Sequence, residues 1–224
     1  MVQIPDESLI SASLSMSDIP SSIEKQEGEF KIIPSRSLRE VYFPEGFNMM
    51  ELSITHSDWG VASFTSRHLT ENIQPVLLRA PEVLLQAEWD AAVDIWNLGV
   101  LVPELMFAQK MFCGRDEEGV YEVKRHLEEI EGLRWRFPRS LLERGEESVR
   151  EMFDERGYVG ERSRDKVLGL EDRFEDMDAK ESSKFVVFIT RMLVLDPEER
   201  PSTKELLEEP WLKHDYDEDV NEEQ

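Results

Sequence analysis

The stretch LLRAPEVLLQAEWDAAVDIWNLGVLVPEL, residues 77–105, decides the fold. Pro81 punctuates its first part, and from Asp90 onward the character turns helical. Ile95, Trp96, Leu98, Val100, Leu101, Leu105 and Met106 set apolar groups around most of a helix's circumference. That pattern suits a helix buried in a core rather than one lying on a surface. Pro103 removes one backbone donor and crowds the carbonyl of Gly99, which predicts a kink.

Downstream, helices continue. Residues 119–131 put Val120, Val123, Leu127 and Ile130 on one stripe, and residues 141–154 and 184–195 predict two more helices. Ser202, just after Pro201 and three residues before Glu205, reads as a capping box that starts a final helix. Upstream lie strands: residues 1–4 end a short one, and 30–33, 41–43 and 52–55 suit others. Residues 5–29 are Ser-rich and acidic, without sustained periodicity, and read as a loop or insert. A few strands followed only by helices make the class mainly α, α+β overall.

Composition excludes several function classes. No apolar run reaches 18 residues; the richest, 186–195, is broken by Thr190 and Arg191, so no membrane partner is expected. The N-terminus lacks a basic region followed by an apolar stretch. Cys113 is the sole cysteine, which excludes an internal disulfide and fits a reducing compartment, cytoplasmic or nuclear. The net charge of −23 argues against nucleic-acid binding and favours basic partners. Much of it is equally a solvated surface plus a tail, since residues 214–224 are crowded with acids.

Four motifs run in order: Asp58-Trp59-Gly60, Ala80-Pro81-Glu82, Asp94-Ile95-Trp96-Asn97-Leu98-Gly99, and LVLDPEERPS at 193–202. Each is weak alone. Together, at these separations, they resemble the large lobe of eukaryotic protein kinases. ENIQPVLLRAPEVLL (71–85), WDAAVDIWNLGVLVPEL (89–105) and LLERGEESVREMFDERGYV (141–159) are similar to the SR-protein kinases and their fungal relatives. The resemblance implies a kinase-like C-lobe over 51–213, a strand plus Ser-rich and acidic insert over 1–50, and an acidic tail over 214–224. Residues 1–4 resemble the strand directly after the catalytic loop, giving the lobe a short β-hairpin at its start.

The resemblance also implies roles. Asp58 matches the metal-binding aspartate that holds Mg²⁺ on the ATP phosphates. Residues 61–79 match the activation segment, with Gln74 and Arg79 on the substrate-side loop. Glu82 matches the acid paired with a buried arginine, here Arg200. Asp94 matches a buried helix aspartate that accepts hydrogen bonds from catalytic-loop amides, and Trp96 and Gly99 belong to the same structural helix. Arg/Ser-rich, basic proteins are the substrates implied.

Two departures stand out: Trp59 replaces the usual Phe or Leu of an apolar slot, and Leu78 replaces an aromatic before Arg79. Thr65, Ser66 and Thr70 are loop hydroxyls open to phosphorylation; His56 and His68 read as surface histidines. The family's Gly-rich loop, ATP-gripping Lys and catalytic-loop Asp and Asn match nothing in this sequence. No catalytic residue is therefore assigned. The expectation is a truncated large lobe that neither binds ATP·Mg²⁺ nor transfers phosphate alone, with the missing parts encoded upstream of Met1. A non-catalytic scaffold or binding module stays open beside it.

Overall fold

The computed structural model describes residues 25–27, 30–32, 58–133, 136–159, 169–174, 177 and 179–213. The strands expected at 1–4, 41–43 and 52–55, the tail at 214–224 and His56 lie outside the described residues. The chain divides into two units, Met1–Ala62 and Ser63–Gln224.

In the first unit, β1 (Lys25–Glu27) pairs antiparallel with β2 (Phe30–Ile32), Lys25 opposite Ile32 and Glu27 opposite Phe30. The strand expected at 30–33 is present. Its partner falls inside the stretch read as a loop, because three residues are too few to show period-2 alternation. A single 3₁₀ turn, Trp59–Val61, follows Asp58 and buries none of its residues.

In the second unit, a 3₁₀ turn (Val76–Leu78) leads into α1 (Pro81–Leu84), whose first position is the proline. The missing N–H of Pro81 is one a first helical residue could not have used. Helix α2 (Ala92–Phe107) follows, then α3 (Val123–Gly132), α4 (Arg139–Arg144) and α5 (Glu147–Arg150). A 3₁₀ turn at Glu171–Phe174, α6 (Ala179–Met192), a 3₁₀ turn at Pro197–Glu199 and α7 (Thr203–Leu206) complete the described elements. Trp96, Phe137, Phe185, Leu127, Ile130, Leu141, Ile189 and Met192 form the centre of one apolar core.

Helix α2 is less enclosed than its composition suggests. It stays helical through Pro103 to Phe107, where Ala108 closes it in the left-handed region at φ 53°. Val93, Ile95, Trp96, Gly99 and Val100 are buried, but Asp94, Leu98 and Leu105 share an exposed face. Opposite that face, Gly99 meets α6. A Cβ on Gly99 would lie 2.8 Å from Met192 Cβ and 3.0 Å from Leu193 Cδ2. Met192 Cβ cannot rotate away, so glycine is what lets the two helices approach.

Two other expectations shift. The helix expected over 141–154 is split into α4 and α5, because the Leu85 carbonyl accepts from Glu146 N at 2.9 Å and pulls the backbone out of helical register. The Glu146 carboxylate then caps α5 through Ser148 N. The helix expected over 119–131 starts only at Val123: the Asp116 carboxylate accepts from Glu118 N and Val120 N and holds a turn closed by Gly119 at φ 83°.

Candidate functional site

The site is built on one buried ion pair. Arg200 Nη1 donates to Glu82 Oε1 at 2.9 Å and Nη2 to Oε2 at 3.1 Å, with neither side chain exposed. The rest of the guanidinium is also spoken for. Nε donates to the Val194 carbonyl at 3.0 Å, Nη1 to Ala92 at 2.6 Å and Nη2 to Leu195 at 3.4 Å. All five N–H donors of the fork thus have acceptors. The guanidinium carbon also lies 5.5 Å from the Trp96 ring centre. One arginine ties α1, the start of α2 and the loop before α7 together, as the resemblance implies.

The loop of residues 74–79, which the resemblance implies lies on the substrate side, is strung from this base. Gln74 has φ 65°, a left-handed conformation in which a non-glycine residue needs support. Its amide supplies that support: Nε2 donates to the Val93 carbonyl at 2.8 Å, and Oε1 accepts from Ala80 N at 2.8 Å. Both side-chain ends of Gln74 are therefore spent on shaping the loop. Arg79 is half-buried, its Nε donating to the Gln74 carbonyl at 3.4 Å. Leu78 is half-buried against the core.

Behind Arg79 lies a group that sequence reasoning missed. His126 of α3 is fully buried, its Nδ1 3.1 Å from the Tyr121 hydroxyl and its ring tilted against Phe112. Burial, and then the positive charge of Arg79, push His126 down to about 4. Burial also raises the Tyr121 phenol, opposed by Arg79 and assisted by Glu129. A lone His on a charged helix carries no local signal of this; only the apolar stripe shared with Leu127 and Ile130 hinted at burial.

Residues from Thr65 to Arg79 border a cleft of about 1040 Å³, lined by Thr65, Ser66, Arg79, Glu88 and Glu146 among others. His68 belongs to this wall, not to the open surface. Its ring stacks on Trp89 at 3.7 Å and 9°, and its Nδ1 lies 3.1 Å from Glu71. Trp89 is a flat, buried partner wide enough to cover the imidazole, which is why the surface expectation fails.

Asp58 is exposed, at φ 65°, at the start of its 3₁₀ turn, and Trp59 is 67% exposed rather than seated in an apolar slot. One exposed carboxylate suits one ligand of an octahedral Mg²⁺. No group of three or more His, Cys, Asp or Glu able to hold a metal occurs among the described residues. Asp58 alone therefore does not fit a complete ATP·Mg²⁺ site. Asp94 is exposed in the first turn of α2, on the face of Leu98, where the helix N-terminus favours its charge. Among the described residues no helix is long and apolar enough to cross a membrane.

The protein kinase domain family matches residues 48–212, more than half of the chain. A serine/threonine protein kinase of Aspergillus fumigatus is 34% identical over 191 residues, covering 85% of this chain and 47% of the relative. The serine/threonine-protein kinase SKY1 of Saccharomyces cerevisiae is 33% identical over 172 residues, covering 74% and 22%. The serine/threonine-protein kinase SRPK of Physarum polycephalum is 27% identical over 208 residues, covering 90% and 48%. The chain thus spans about half the length of these relatives, or less. The crystal structure of a kinase domain superposes with a TM-score of 0.57 at 25% identity, covering 72% of this chain and 47% of that one. The buried Glu82–Arg200 anchor, the motif order and these matches agree: the chain belongs to the protein kinase family and has SR-protein-kinase-like homologues.

Proposed function

We propose that this chain is the large-lobe part of a serine/threonine kinase acting on basic, Arg/Ser-rich proteins, and that residues 1–224 alone do not transfer phosphate. The observation that carries the reading is the Gln74 strut, which fixes the substrate-side loop to α2 and to the Glu82–Arg200 base. A loop held by half-buried hydrogen bonds from one side chain to two backbone groups is a platform for an extended peptide. The net charge of −23 supports a basic substrate, and the names of the Physarum and mouse relatives, the latter an SRSF protein kinase, point the same way. Asp58 contributes one metal ligand when Mg²⁺ and ATP are held by a more complete set of groups. A cytoplasmic or nuclear setting, which the single cysteine fits, is part of this proposal.

The test is a titration of the purified chain with a fluorescent ATP analogue in Mg²⁺, followed by radiolabelled transfer to an Arg/Ser-repeat peptide. No saturable nucleotide binding and no transfer are expected. Micromolar saturation abolished by Asp58→Ala overturns the inactivity of the isolated chain. Equal affinity for Arg/Ser-repeat and Glu/Ser-repeat peptides overturns the substrate class.

A further inference from the structure

We propose that the cleft between α4, α5 and the turn at residues 154–158 is a docking site for phosphorylated protein segments. The chain carries 49 acidic residues against 26 Lys and Arg. This cleft, of about 900 Å³, reverses that balance: Arg136, Arg139, Arg150 and Arg156 line it beside only three acids. Two of those acids are already engaged. Glu143 pairs with Arg139 at 2.8 Å, and Asp154 Oδ1 accepts from the backbone N–H groups of Arg156 and Tyr158. Arg150 meets Glu147 only at 3.9 Å, while among the described residues neither Arg136 nor Arg156 forms an ion pair within 4.0 Å or a side-chain hydrogen bond, Arg156 feeling Asp154 only at longer range.

The backbone holds these two unpaired arginines on neighbouring segments. Phe137 N donates to the Gly157 carbonyl at 3.3 Å, and Gly157, at φ 82°, packs so tightly that a Cβ would lie 2.5 Å from the Phe137 carbonyl oxygen. Arg136 and Arg156 are the residues immediately before Phe137 and Gly157, so this contact fixes their spacing. Beneath them the Phe137 and Phe153 rings meet edge-on at 5.0 Å and give the cleft an apolar floor.

Guanidinium forks match phosphate oxygens bidentately, and several forks spread over three segments suit several phosphate groups on one flexible chain. A nucleic acid is the poorer fit, because the field of a chain at −23 repels a long polyanion more than a peptide bearing a few phosphates. The proposal rests on the kinase reading only for where such ligands arise, and binding is measured without catalysis.

The experiment uses the whole chain and a fluorescein-labelled Gly/Ala dodecapeptide carrying three phosphoserines, with its unphosphorylated twin as control. Fluorescence anisotropy at low salt is expected to saturate with the phosphopeptide and not with the twin. The double variant Arg136→Ala, Arg156→Ala is expected to weaken binding about tenfold or more, as the loss of charge-assisted forks requires. Arg125→Ala, outside the cleft, is expected to leave it unchanged; all three side chains are exposed, and melting curves verify that each variant folds. Equal binding of the two peptides overturns the proposal, as does an unchanged affinity in the double variant. A single-stranded oligonucleotide that binds as tightly and is lost in the same variant overturns the assignment to phosphopeptides. Absence of phosphoryl transfer bears on the proposed function and not on this site.

Discussion

Arg200 and Glu82 face each other across 118 residues of sequence through two parallel hydrogen bonds of 2.9 and 3.1 Å, both side chains sealed from water. Removing one partner leaves a buried charge unpaired, which costs about 3–5 kcal/mol. Whole domains are stable by about 5–15 kcal/mol, so Glu82→Ala should lower the melting temperature strongly or abolish soluble expression. Arg200→Lys should cost nearly as much, because an ammonium cannot reach Glu82 and the Val194, Ala92 and Leu195 carbonyls at once. Thermal unfolding of both variants checks this; a lysine variant that melts like the parent would refute the fork-based account.

The Glu82–Arg200 pair, the glycine of α2 and the capping box at Ser202 were legible in the sequence, each for its own reason. The pair follows from a family resemblance, and the cap from residues three apart. What stayed hidden depends on distant backbone. Gly145 ends α4 because the Leu85 carbonyl captures Glu146 N, and nothing near residue 145 announces Leu85. Asp94 is, by resemblance alone, an aspartate that catalytic-loop amides satisfy, and that loop matches nothing in this sequence. Helical geometry instead sets it with Leu98 and Leu105 on the face of α2 that the described chain leaves exposed.

Gly99 gives a second prediction. In an exposed helix, Gly→Ala would stabilise by up to about 1 kcal/mol through backbone entropy. Here a methyl would stand 2.8 Å from Met192 Cβ, and overpacking costs about 1–3 kcal/mol. The clash should win, so Gly99→Ala is expected to destabilise and Gly99→Val more so. Urea unfolding decides it; a stabilised alanine variant would show that α2 and α6 can separate cheaply.

His126 predicts a pH dependence. Its folded value of about 4 lies below the ordinary 6.5, so between these values the unfolded chain binds a proton that the folded one does not. Stability therefore falls as pH drops from about 6.5 toward 4 and levels off below, by up to about 3 kcal/mol for this group. Urea midpoints at neutral and mildly acidic pH should show the loss, and His126→Gln should flatten that slope. Persistence of the full slope in the variant would assign it to other groups.

At α7 the Ser202 hydroxyl accepts from Glu205 N at 3.3 Å, while the Glu205 carboxylate accepts from Ser202 N at 2.8 Å. Ser202→Ala removes half of this reciprocal cap and is expected to cost about 1 kcal/mol. Ser202→Asn should retain most of the stability, since it keeps an acceptor at the cap without setting a second carboxylate against Glu205, which accepts from the Ser202 hydroxyl at 2.7 Å. A melting temperature that drops equally in both variants would argue that the hydroxyl matters for some other reason.

The Gln74 strut allows the sharpest separation of donor from acceptor. Its Nε2 and Oε1 each meet one backbone group, Val93 O and Ala80 N, at the same 2.8 Å. Gln74→Ala leaves Ala80 N without its partner, at about 1–3 kcal/mol if it stays dry, while Val93 O, in the first turn of α2, keeps its helical donor. Gln74→Glu keeps the acceptor for Ala80 N but turns a second carboxylate oxygen toward the Val93 carbonyl, replacing attraction by repulsion. Hydrogen exchange reads the difference directly. The Ala80 amide should lose protection in the alanine variant and keep most of it in the glutamate variant, although both are less stable overall. Gln74→Gly relieves the left-handed φ of 65° yet supplies neither contact. If glycine preserved Ala80 protection, backbone freedom rather than the amide would be what shapes the loop, and the strut would lose its role.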